Sequence, residues 1–277
     1  MKNGQRPTRV TENPRKVGAR VLSLRTGSAR ARLPRIAIVS DIHGNFDALK
    51  ALPNHYDELW VLGDLVNYGP QPAEVVEFIR KRATLVVRGN HDDAVAFNRD
   101  PQCSPAFRRA ADETRRYTAA VLTDRQKGYL GDLPHYRWVR RGRWTFYLCH
   151  AVPSDPLHKY CPEESRNWRR ELIRAGTDFL LVGHTHLQFC LQRGEQSVVN
   201  PGSLGQPKTG QPQATYAIWE NGTITLHRYE YPIQKTAARI RAMPVSGSTQ
   251  KFLVQVLRSG AVPKTEKEAN HVQNHSA

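Results

Sequence analysis

Short apolar runs alternate with helix-like patterns in the first half of the chain. Residues 35–40, 58–62 and 84–88 are apolar runs of the length that predicts buried strands. Between them, residues 45–52 and 72–82 place apolar side chains at helical spacing, and the second segment has a proline at its start, where a missing N–H group costs nothing. The alternation predicts a β-α-β-α-β unit with parallel strands.

The pattern changes in the second half of the chain. Residues 104–131 are predicted to be mostly helical, residues 163–175 to form a further helix, and residues 144–149 and 178–182 to form two strands. From residue 187 onward the predicted strands follow one another directly, at 189–192, 197–200, 214–219 and 223–229. The Asn221-Gly222 pair predicts a hairpin turn between the last two. After a closing helix over 233–243, we predict one α/β domain over 36–244 and a C-terminal segment over 245–277 with a short helix at 250–258 and a polar tail.

The charge is distributed unevenly along a chain of ordinary globular composition. The 277 residues are 39% hydrophobic and 24% charged, and no apolar run is long enough for a membrane span. The formal net charge is +16, of which residues 1–35 carry +9 (ten basic residues, one acidic) and residues 36–244 only +5 (27 basic, 22 acidic). We interpret residues 1–35 as a basic disordered arm, with a nucleic-acid contact or a mitochondrial-type presequence as alternatives.

The four cysteines, at positions 103, 149, 161 and 190, form no C-x-x-C pair and match no zinc-binding spacing. Cys149 and Cys190 lie in apolar runs, so we expect both to be buried as small hydrophobic residues. The pattern favours a reducing compartment, and without an apolar segment typical of a secretory signal we expect a cytoplasmic location.

Polar residues of three types follow the predicted strands. They are Asp41, His43, Asp64, Asn90, His150, His184 and His186. The carboxyl ends of parallel strands open onto one edge of a sheet, so these side chains are expected to converge. We expect Asp-x-His and His-x-His to lie in extended strand ends, with both side chains on one face. Glycines at 44, 63, 89 and 183 allow tight turns or close approach of the backbone.

These residue types are ligands for divalent metals such as Mn²⁺, Fe²⁺, Co²⁺, Ni²⁺ and Zn²⁺. Seven side chains are too many for one zinc site of three or four ligands. They suit two ions that share a carboxylate, an arrangement that promotes displacement at phosphorus. The sequence therefore predicts a dinuclear site for phosphoester chemistry.

The ordered set D-x-H, G-D, G-N-H-D, H and G-H-x-H resembles the calcineurin-like metallophosphoesterase superfamily. The segments 63–70 and 200–207 are similar to its prokaryotic phosphodiesterase-type branch. The resemblance runs from Ile36 to about Met243. It implies a four-layer αββα sandwich of two mixed β-sheets flanked by helices.

The resemblance also implies a role for each matching residue. One ion would be bound by Asp41, His43, Asp64 and His186, and the other by Asp64, Asn90, His150 and His184, with Asp64 bridging. His91 would contact the phosphate and protonate the leaving oxygen, while Asn45 would hydrogen-bond a phosphoryl oxygen. A metal-activated hydroxide would be the nucleophile.

Two positions depart from the pattern of the superfamily's Ser/Thr phosphatases, which carry G-D-x-x-D-R-G. This chain has Asn67 where the second Asp would stand and Tyr68 in place of the Arg. Loss of the arginine removes a bidentate donor to anions. Phosphoproteins, and also dinucleoside tetraphosphates, are therefore disfavoured as substrates.

We expect a phosphodiesterase that hydrolyses a small, nucleotide-like phosphoester with two divalent ions, Mn²⁺ being preferred and Fe, Co, Ni or Zn being alternatives. A non-catalytic scaffold is a second possibility, disfavoured because His91 is present, and a nuclease is a third, disfavoured because residues 245–277 are too short for a DNA-binding domain. The basic and aromatic segment 137–144 is interpreted as a solvated hairpin edge rather than a nucleic-acid surface. No membrane partner is expected, and the oligomeric state is left open.

Overall fold

Two five-stranded sheets form the centre of the computed structural model, which describes residues 32–263. Strands are numbered in chain order. The first sheet contains β1 (Ile36–Val39), β2 (Glu58–Val61), β3 (Leu85–Val86), β9 (Ala214–Glu220) and β10 (Thr223–Tyr229). The second contains β4 (Tyr136–Arg141), β5 (Trp144–Cys149), β6 (Phe179–Leu181), β7 (Gln188–Arg193) and β8 (Gln196–Pro201).

Both sheets are mixed. The first has the strand order β10-β9-β1-β2-β3, in which β1, β2 and β3 are parallel, as predicted, and β9 is antiparallel to β1. The second has the order β4-β5-β6-β8-β7, with β5, β6 and β8 parallel. The predicted hairpin joins β9 to β10. The parallel strands of each sheet thus end on a common edge, where ligands bind in α/β proteins.

Eight α-helices were found in the described part of the chain. They are α1 (Phe46–Ala51), α2 (Pro72–Arg82), α3 (Asn90–Phe97), α4 (Arg108–Val121), α5 (Asp124–Asp132), α6 (Trp168–Ala175), α7 (Ile233–Arg241) and α8 (Gly247–Ser259), and a 3₁₀ turn spans Pro105–Phe107. Among these described helices, none has the length and apolar character needed to cross a membrane.

The four layers follow from the alternation of side chains along the strands. In β1, Ile36 and Ile38 point into the space between the sheets, where they meet Trp60 and, from the second sheet, Phe146. Ala37 and Val39 point the other way, into a core that includes apolar residues of α1 and α2. On the far side of the second sheet, α6 packs through residues such as Trp168. The αββα sandwich is therefore confirmed.

The C-terminal helix is longer than predicted and belongs to a buried cluster. Helix α8 begins at Gly247, three residues before the predicted start, and the Ser246 hydroxyl caps it by accepting a hydrogen bond from the Thr249 N–H group at 3.3 Å. Its apolar face, which includes Leu253 and Leu257, packs in one cluster with Tyr68 and Phe107. The domain boundary at residue 244 stays a prediction. The proposed arm and tail fall largely on residues 1–31 and 264–277, outside the described residues.

Three sequence predictions were wrong in detail. Strand β3 covers only Leu85–Val86 of the predicted 84–88, and α3 begins at Asn90 soon after it. Helix α6 begins at Trp168 rather than at residue 163. Cys149 is buried as predicted, but Cys190 is exposed, because β7 is an edge strand and this side chain points away from the core that buries its neighbour Phe189.

Candidate metal centre

Tight left-handed turns, rather than extended strand ends, present the predicted ligands. Strand β1 ends at Val39 and β6 at Leu181, so both His-containing pairs lie beyond them. Positive φ angles occur at Asp41 (54°), His43 (47°), Asp64 (55°), His184 (66°) and His186 (62°). The expected one-face strand geometry was therefore wrong, although the side chains do converge.

This backbone conformation is costly for residues other than glycine, by about 1–3 kcal/mol each. Of the ten non-glycine residues with positive φ in the described part of the chain, seven lie at this edge, since Asn67 and Tyr68 add to the five above. Strain concentrated in this way is typical of functional sites, where the surrounding structure holds residues in unusual conformations.

All four glycines stand where a Cβ atom would overlap a neighbouring segment, and at two of them that neighbour includes a carboxylate of the site. A Cβ atom on Gly89 would overlap the side-chain Oδ1 and the backbone nitrogen of Asp64. A Cβ atom on Gly183 would overlap the Ser40 hydroxyl and lie 2.8 Å from the Asp41 Oδ2 atom. The carboxylates of Asp64 and Asp41 therefore lie directly against the backbone of Gly89 and Gly183, where a larger residue would displace them.

Replacing Gly89 with alanine is expected to impair metal binding without removing any ligand. The backbone at Gly89 has φ −95° and ψ 169°, which alanine adopts freely, so the effect would be steric. We expect a stability loss of about 1–3 kcal/mol, and bound metal and kcat each lowered at least about tenfold as the Asp64 turn moves. Thermal unfolding and elemental analysis measure these effects.

Gly128→Ala is the matched control, because nothing lies within 4 Å of a Cβ atom there and the residue is inside α5. It should stabilise the helix slightly and leave metal content unchanged. A Gly89→Ala protein with a full complement of metal and normal activity would contradict the close-approach argument.

Each of the four predicted histidine ligands has one ring nitrogen against a backbone carbonyl. The pairs are His43 Nδ1 with Val66 O (3.0 Å), His150 Nδ1 with Leu62 O (2.8 Å), His184 Nε2 with His158 O (3.1 Å) and His186 Nδ1 with Gln206 O (2.6 Å). A carbonyl oxygen only accepts, so these outer nitrogens donate. In the neutral rings the inner nitrogens then carry lone pairs, as in metal-binding histidines.

The inner nitrogens face one another in pairs. His43 Nε2 lies 3.2 Å from His186 Nε2, and His150 Nε2 lies 3.2 Å from His184 Nδ1. The Asp41 Oδ1 atom is 3.2 Å from His186 Nε2 and, among the described residues, accepts no hydrogen bond although it is buried. Lone pairs facing each other in a buried site repel unless a cation lies between them. The donor set therefore fits a divalent metal.

Asp64 occupies the position between the two histidine pairs. Its Oδ2 atom is 3.7 Å from His43 Nε2 and 3.3 Å from His150 Nε2, while its Oδ1 atom accepts the His91 backbone N–H group at 2.9 Å. Asn90 places its Oδ1 atom 3.0 Å from His150 Nε2, and its Nδ2 group donates to the Pro101 carbonyl at 2.6 Å.

Potential ligand atoms form two groups, and within each group all the atoms lie within 4.8 Å of one another. The first group is Asp41, His43 and His186, and the second is Asp41, Asp64 and His150. The structure thus brings all seven predicted ligands to one edge. Their assignment as metal ligands stays a prediction.

The electrostatics show two buried carboxylates in need of positive charge. Burial alone would raise the pKa values of Asp41 and Asp64, but His186 lowers that of Asp41 and His150 lowers that of Asp64 below the ordinary range. Burial would likewise lower the pKa of His150, yet the Asp64 carboxylate raises it to about 9. Burial lowers the pKa of His184 to about 3. A proton on His150 therefore offsets part of the negative charge of the two carboxylates. Bound divalent ions would offset that charge in its place.

His91 lies beside this cluster, and Asn67 contacts its ring. The Asn67 Nδ2 group is 2.8 Å from His91 Nδ1, and the Asn67 Oδ1 atom is buried with no partner among the described residues. Rotation of the amide exchanges donor and acceptor, so Asn67 can orient either form of the imidazole. The Tyr68 ring packs edge-on against His91, with centroids 4.8 Å apart, and supplies no positive charge.

A cavity of about 440 Å³ opens on this edge of the sheets. Five predicted site residues line it, namely Asp64, Asn90, His91, His184 and His186. It is also lined by Cys103, Phe107, Tyr160 and Lys208, which sequence reasoning missed. Phe107 ends the 3₁₀ turn inside the segment 104–131 and Tyr160 lies on a loop, and neither position gave a signal of a site, whereas Lys208 directly follows the recognised segment 200–207.

Asn45 is not among the residues that line this cavity. Its Oδ1 atom accepts the Ala48 N–H group at 3.1 Å as the cap of α1, and its Nδ2 group donates to the Gly205 carbonyl at 3.0 Å. Its contact with substrate stays a prediction.

Two supporting features hold the turns in place. Asp92 caps the N-terminus of α3 by accepting the Gly89 N–H group, and it also accepts those of Asp64 and Leu65, at 2.8–3.0 Å. The segment 200–207 supports the turns from the second sheet. Within this segment the Ser203 hydroxyl donates to the Asp41 carbonyl at 2.8 Å, and the Gln206 carbonyl accepts a hydrogen bond from His186 Nδ1 at 2.6 Å.

Comparison with known proteins agrees with this geometry. Residues 35–223 match the family model described as the calcineurin-like phosphoesterase superfamily domain. Phosphodiesterase YfcE of Escherichia coli is 28% identical, over 69% of this chain and 90% of that protein. A symmetrical bis(5'-nucleosyl)-tetraphosphatase of Vibrio campbellii is 41% identical, over 74% of this chain and 66% of that protein. The crystal structure of a metallophosphoesterase from Sphaerobacter thermophilus has a TM-score of 0.69 and 32% identity, and the match covers 83% of this chain and 100% of that one.

Proposed function

Because the chain belongs to the calcineurin-like phosphoesterase superfamily, whose members are metal-dependent phosphoester hydrolases, we propose that it is a dinuclear phosphodiesterase acting on a small phosphoester. One observation carries the proposal. The inner nitrogens of four histidines, three of them buried, face each other and two buried carboxylates, an arrangement that supports the binding of divalent cations. Asp64, between the two pairs, would be the shared ligand.

The proposed ligand groups follow the positions of the side chains. Asp41, His43, Asp64 and His186 would hold one ion, and Asp64, Asn90, His150 and His184 the other. When bound, two divalent ions would supply Lewis acidity toward the phosphoryl group and lower the pKa of water. The carbonyl-bonded outer nitrogens keep the four rings in one orientation, so the site is organised before substrate binds.

His91 is the proposed proton donor to the leaving oxygen. It lines the cavity but its ring belongs to neither ligand group. Burial lowers the pKa of His91 to about 4, and an anionic phosphoester beside it would raise the pKa and favour the protonated ring. With its amide turned so that Oδ1 faces the ring, Asn67 would then accept a hydrogen bond from the His91 Nδ1–H group and leave Nε2 free for the substrate.

The size of the cavity supports a small substrate. A volume of about 440 Å³ lies in the range of small-molecule sites and holds a nucleotide-sized ligand rather than a folded protein. The aromatic rings of Phe107 and Tyr160 along its wall would suit a planar group on such an ester. Mn²⁺ is the preferred ion of the proposal, with Fe, Co, Ni and Zn as alternatives, since the ligand types suit all five.

A phosphoester panel measured across divalent metals tests the proposal. It should contain monoesters, cyclic nucleotides, dinucleoside polyphosphates, bis-p-nitrophenyl phosphate and short oligonucleotides. We expect turnover of diesters that is greatest with Mn²⁺, is lost on chelation and returns when metal is added back. Two bound ions per chain without turnover of any ester would instead favour a scaffold. DNA binding that survives deletion of residues 1–34 and falls steeply with salt would favour a nuclease.

A cytoplasmic location remains part of the proposal. All four cysteines are free thiols in the structure, Cys149 and Cys161 being buried. Free thiols are the usual form in a reducing compartment.

A further inference from the structure

One lysine extends into the candidate metal centre without a partner for its charge. Lys208 lines the cavity together with Asp64, His91 and His186. Its ammonium group lies 4.6 Å from the centroid of the Phe107 ring. Among the ion pairs and side-chain hydrogen bonds between described residues, none includes Lys208.

An unpaired ammonium in a partly buried cavity is costly unless an anion is bound beside it. Burial lowers the pKa of Lys208 to about 8, although the carboxylates of Asp41 and Asp64 favour its charged form. The Phe107 ring stabilises the cation by a cation–π contact and fixes the direction of the side chain. The ammonium is thus held in place toward the space where a substrate would lie.

No other lysine or arginine of the described residues is available for this purpose. Lys208 is the only lysine or arginine among the residues that line the cavity within residues 32–263. Tyr68 stands where an arginine would offer two parallel donors, and its buried ring packs against His43, His91 and Phe107. A second positive side chain from that side is therefore excluded.

We propose that Lys208 binds a non-bridging phosphoryl oxygen of the substrate and thereby selects monoanionic phosphodiesters over dianionic monoesters. The proposal rests on the phosphoesterase function given above. An ammonium is a compact single charge with no bidentate geometry, whereas a guanidinium binds two oxygens of one phosphate. Added to the charges of the proposed ions and His91, one such charge suits the single negative charge of a diester, while a monoester dianion would need a further lysine or arginine, which the described lining of the cavity does not supply.

Lys208→Met tests the role of the charge, because methionine keeps most of the length of the stem. In the metal-loaded protein we expect kcat/KM for bis-p-nitrophenyl phosphate to fall about 10–10²-fold, the size of a charge-assisted hydrogen bond. The Kd for inorganic phosphate, measured by calorimetry, should rise by a similar factor. Metal content should stay as in the wild type, and the midpoint of thermal unfolding should not fall, because the substitution removes an unpaired ammonium group.

Lys208→Arg tests the selectivity. It should keep diester activity within a few-fold and shift the ratio of diester to monoester kcat/KM toward p-nitrophenyl phosphate. Lys251→Met is the matched control, since Lys251 is exposed on α8 and does not line this cavity. It should change neither phosphate binding nor turnover.

Phosphate binding separates failure of this inference from failure of the proposed function. Suppose that the wild-type protein hydrolyses none of the esters but Lys208→Met still binds phosphate more weakly than the wild type. The phosphate site then stands and the phosphodiesterase function falls. If Lys208→Met binds phosphate as tightly as the wild type, the inference is overturned whatever the activity. An unchanged diester-to-monoester ratio in Lys208→Arg would overturn the selectivity.

Discussion

Replacing Asp64 with asparagine is expected to lower kcat/KM on diesters by about 10³-fold or more and to reduce bound metal below two ions per chain. The asparagine keeps the size of the side chain and can still accept the His91 backbone N–H group, so the turn should survive. It removes the single negative charge that lies between His43 and His150. A dinuclear metal site supplies several kcal/mol of stabilisation to the transition state, and about 4 kcal/mol corresponds to ~10³-fold in rate.

Asp93→Asn is the control for removal of a buried carboxylate from the same region. Asp93 pairs with Arg88 at 3.0 Å and with Arg99 at 3.3 Å, and it does not line the cavity. Its loss should lower the free energy of unfolding, because Arg88 would be left without its carboxylate partner. Metal content and the diester kcat of the folded protein should stay close to wild type. If Asp64→Asn retained two ions and wild-type turnover, the dinuclear assignment would be wrong.

Convergence of the ligands was predictable because it depends on topology alone. Parallel strands end at one edge of a sheet whatever the details of the turns, so polar residues after β1 and β2 had to lie near one another, as did those after β5 and β6 in the second sheet. Packing of the two sheets against each other brings the two sets together. The two-sheet core was implied by the family resemblance, and in it alternating apolar residues such as Ile36 and Ala37 serve opposite faces of the first sheet.

The local geometry was not predictable from the same pattern. Asp41 and His186 adopt left-handed conformations that their residue types disfavour, and only the surrounding contacts hold them there. The Ser203 hydroxyl bonded to the Asp41 carbonyl is such a contact, and it comes from a residue 162 positions away in the chain. Propensity and spacing carry no information about interactions of this range.

Residues on loops escaped prediction for a related reason. Lys208, Phe107 and Tyr160 reach the cavity from three separate segments, and none belongs to a repeated spacing or a strand end. Cys190 was misassigned because a short apolar run does not reveal whether its strand lies at the edge of a sheet. Both kinds of error come from tertiary context overriding local pattern.

Replacing His91 with alanine is expected to lower kcat on diesters with an alkoxide leaving group by about 10²–10⁴-fold, the usual contribution of a general acid. The loss on bis-p-nitrophenyl phosphate should be much smaller, because p-nitrophenolate is a weak base and departs without a proton. Metal content should be unchanged, since the His91 ring contributes to neither group of ligand atoms. Parallel kinetics on a dinucleotide and on bis-p-nitrophenyl phosphate, with elemental analysis, measure all three effects.

The comparison of leaving groups is what assigns the role. A proton donor acts only where charge develops on the leaving oxygen, so its removal must be felt more strongly as that oxygen becomes more basic. Equal losses on both esters would instead make His91 a phosphate-binding residue, which its place beside Lys208 in the cavity also allows. His91 contacts the Asp64 carboxylate through its backbone N–H group, which alanine retains. Loss of bound metal in His91→Ala would therefore place the His91 ring among the metal ligands. It would contradict both the proton-donor role and the phosphate-binding role.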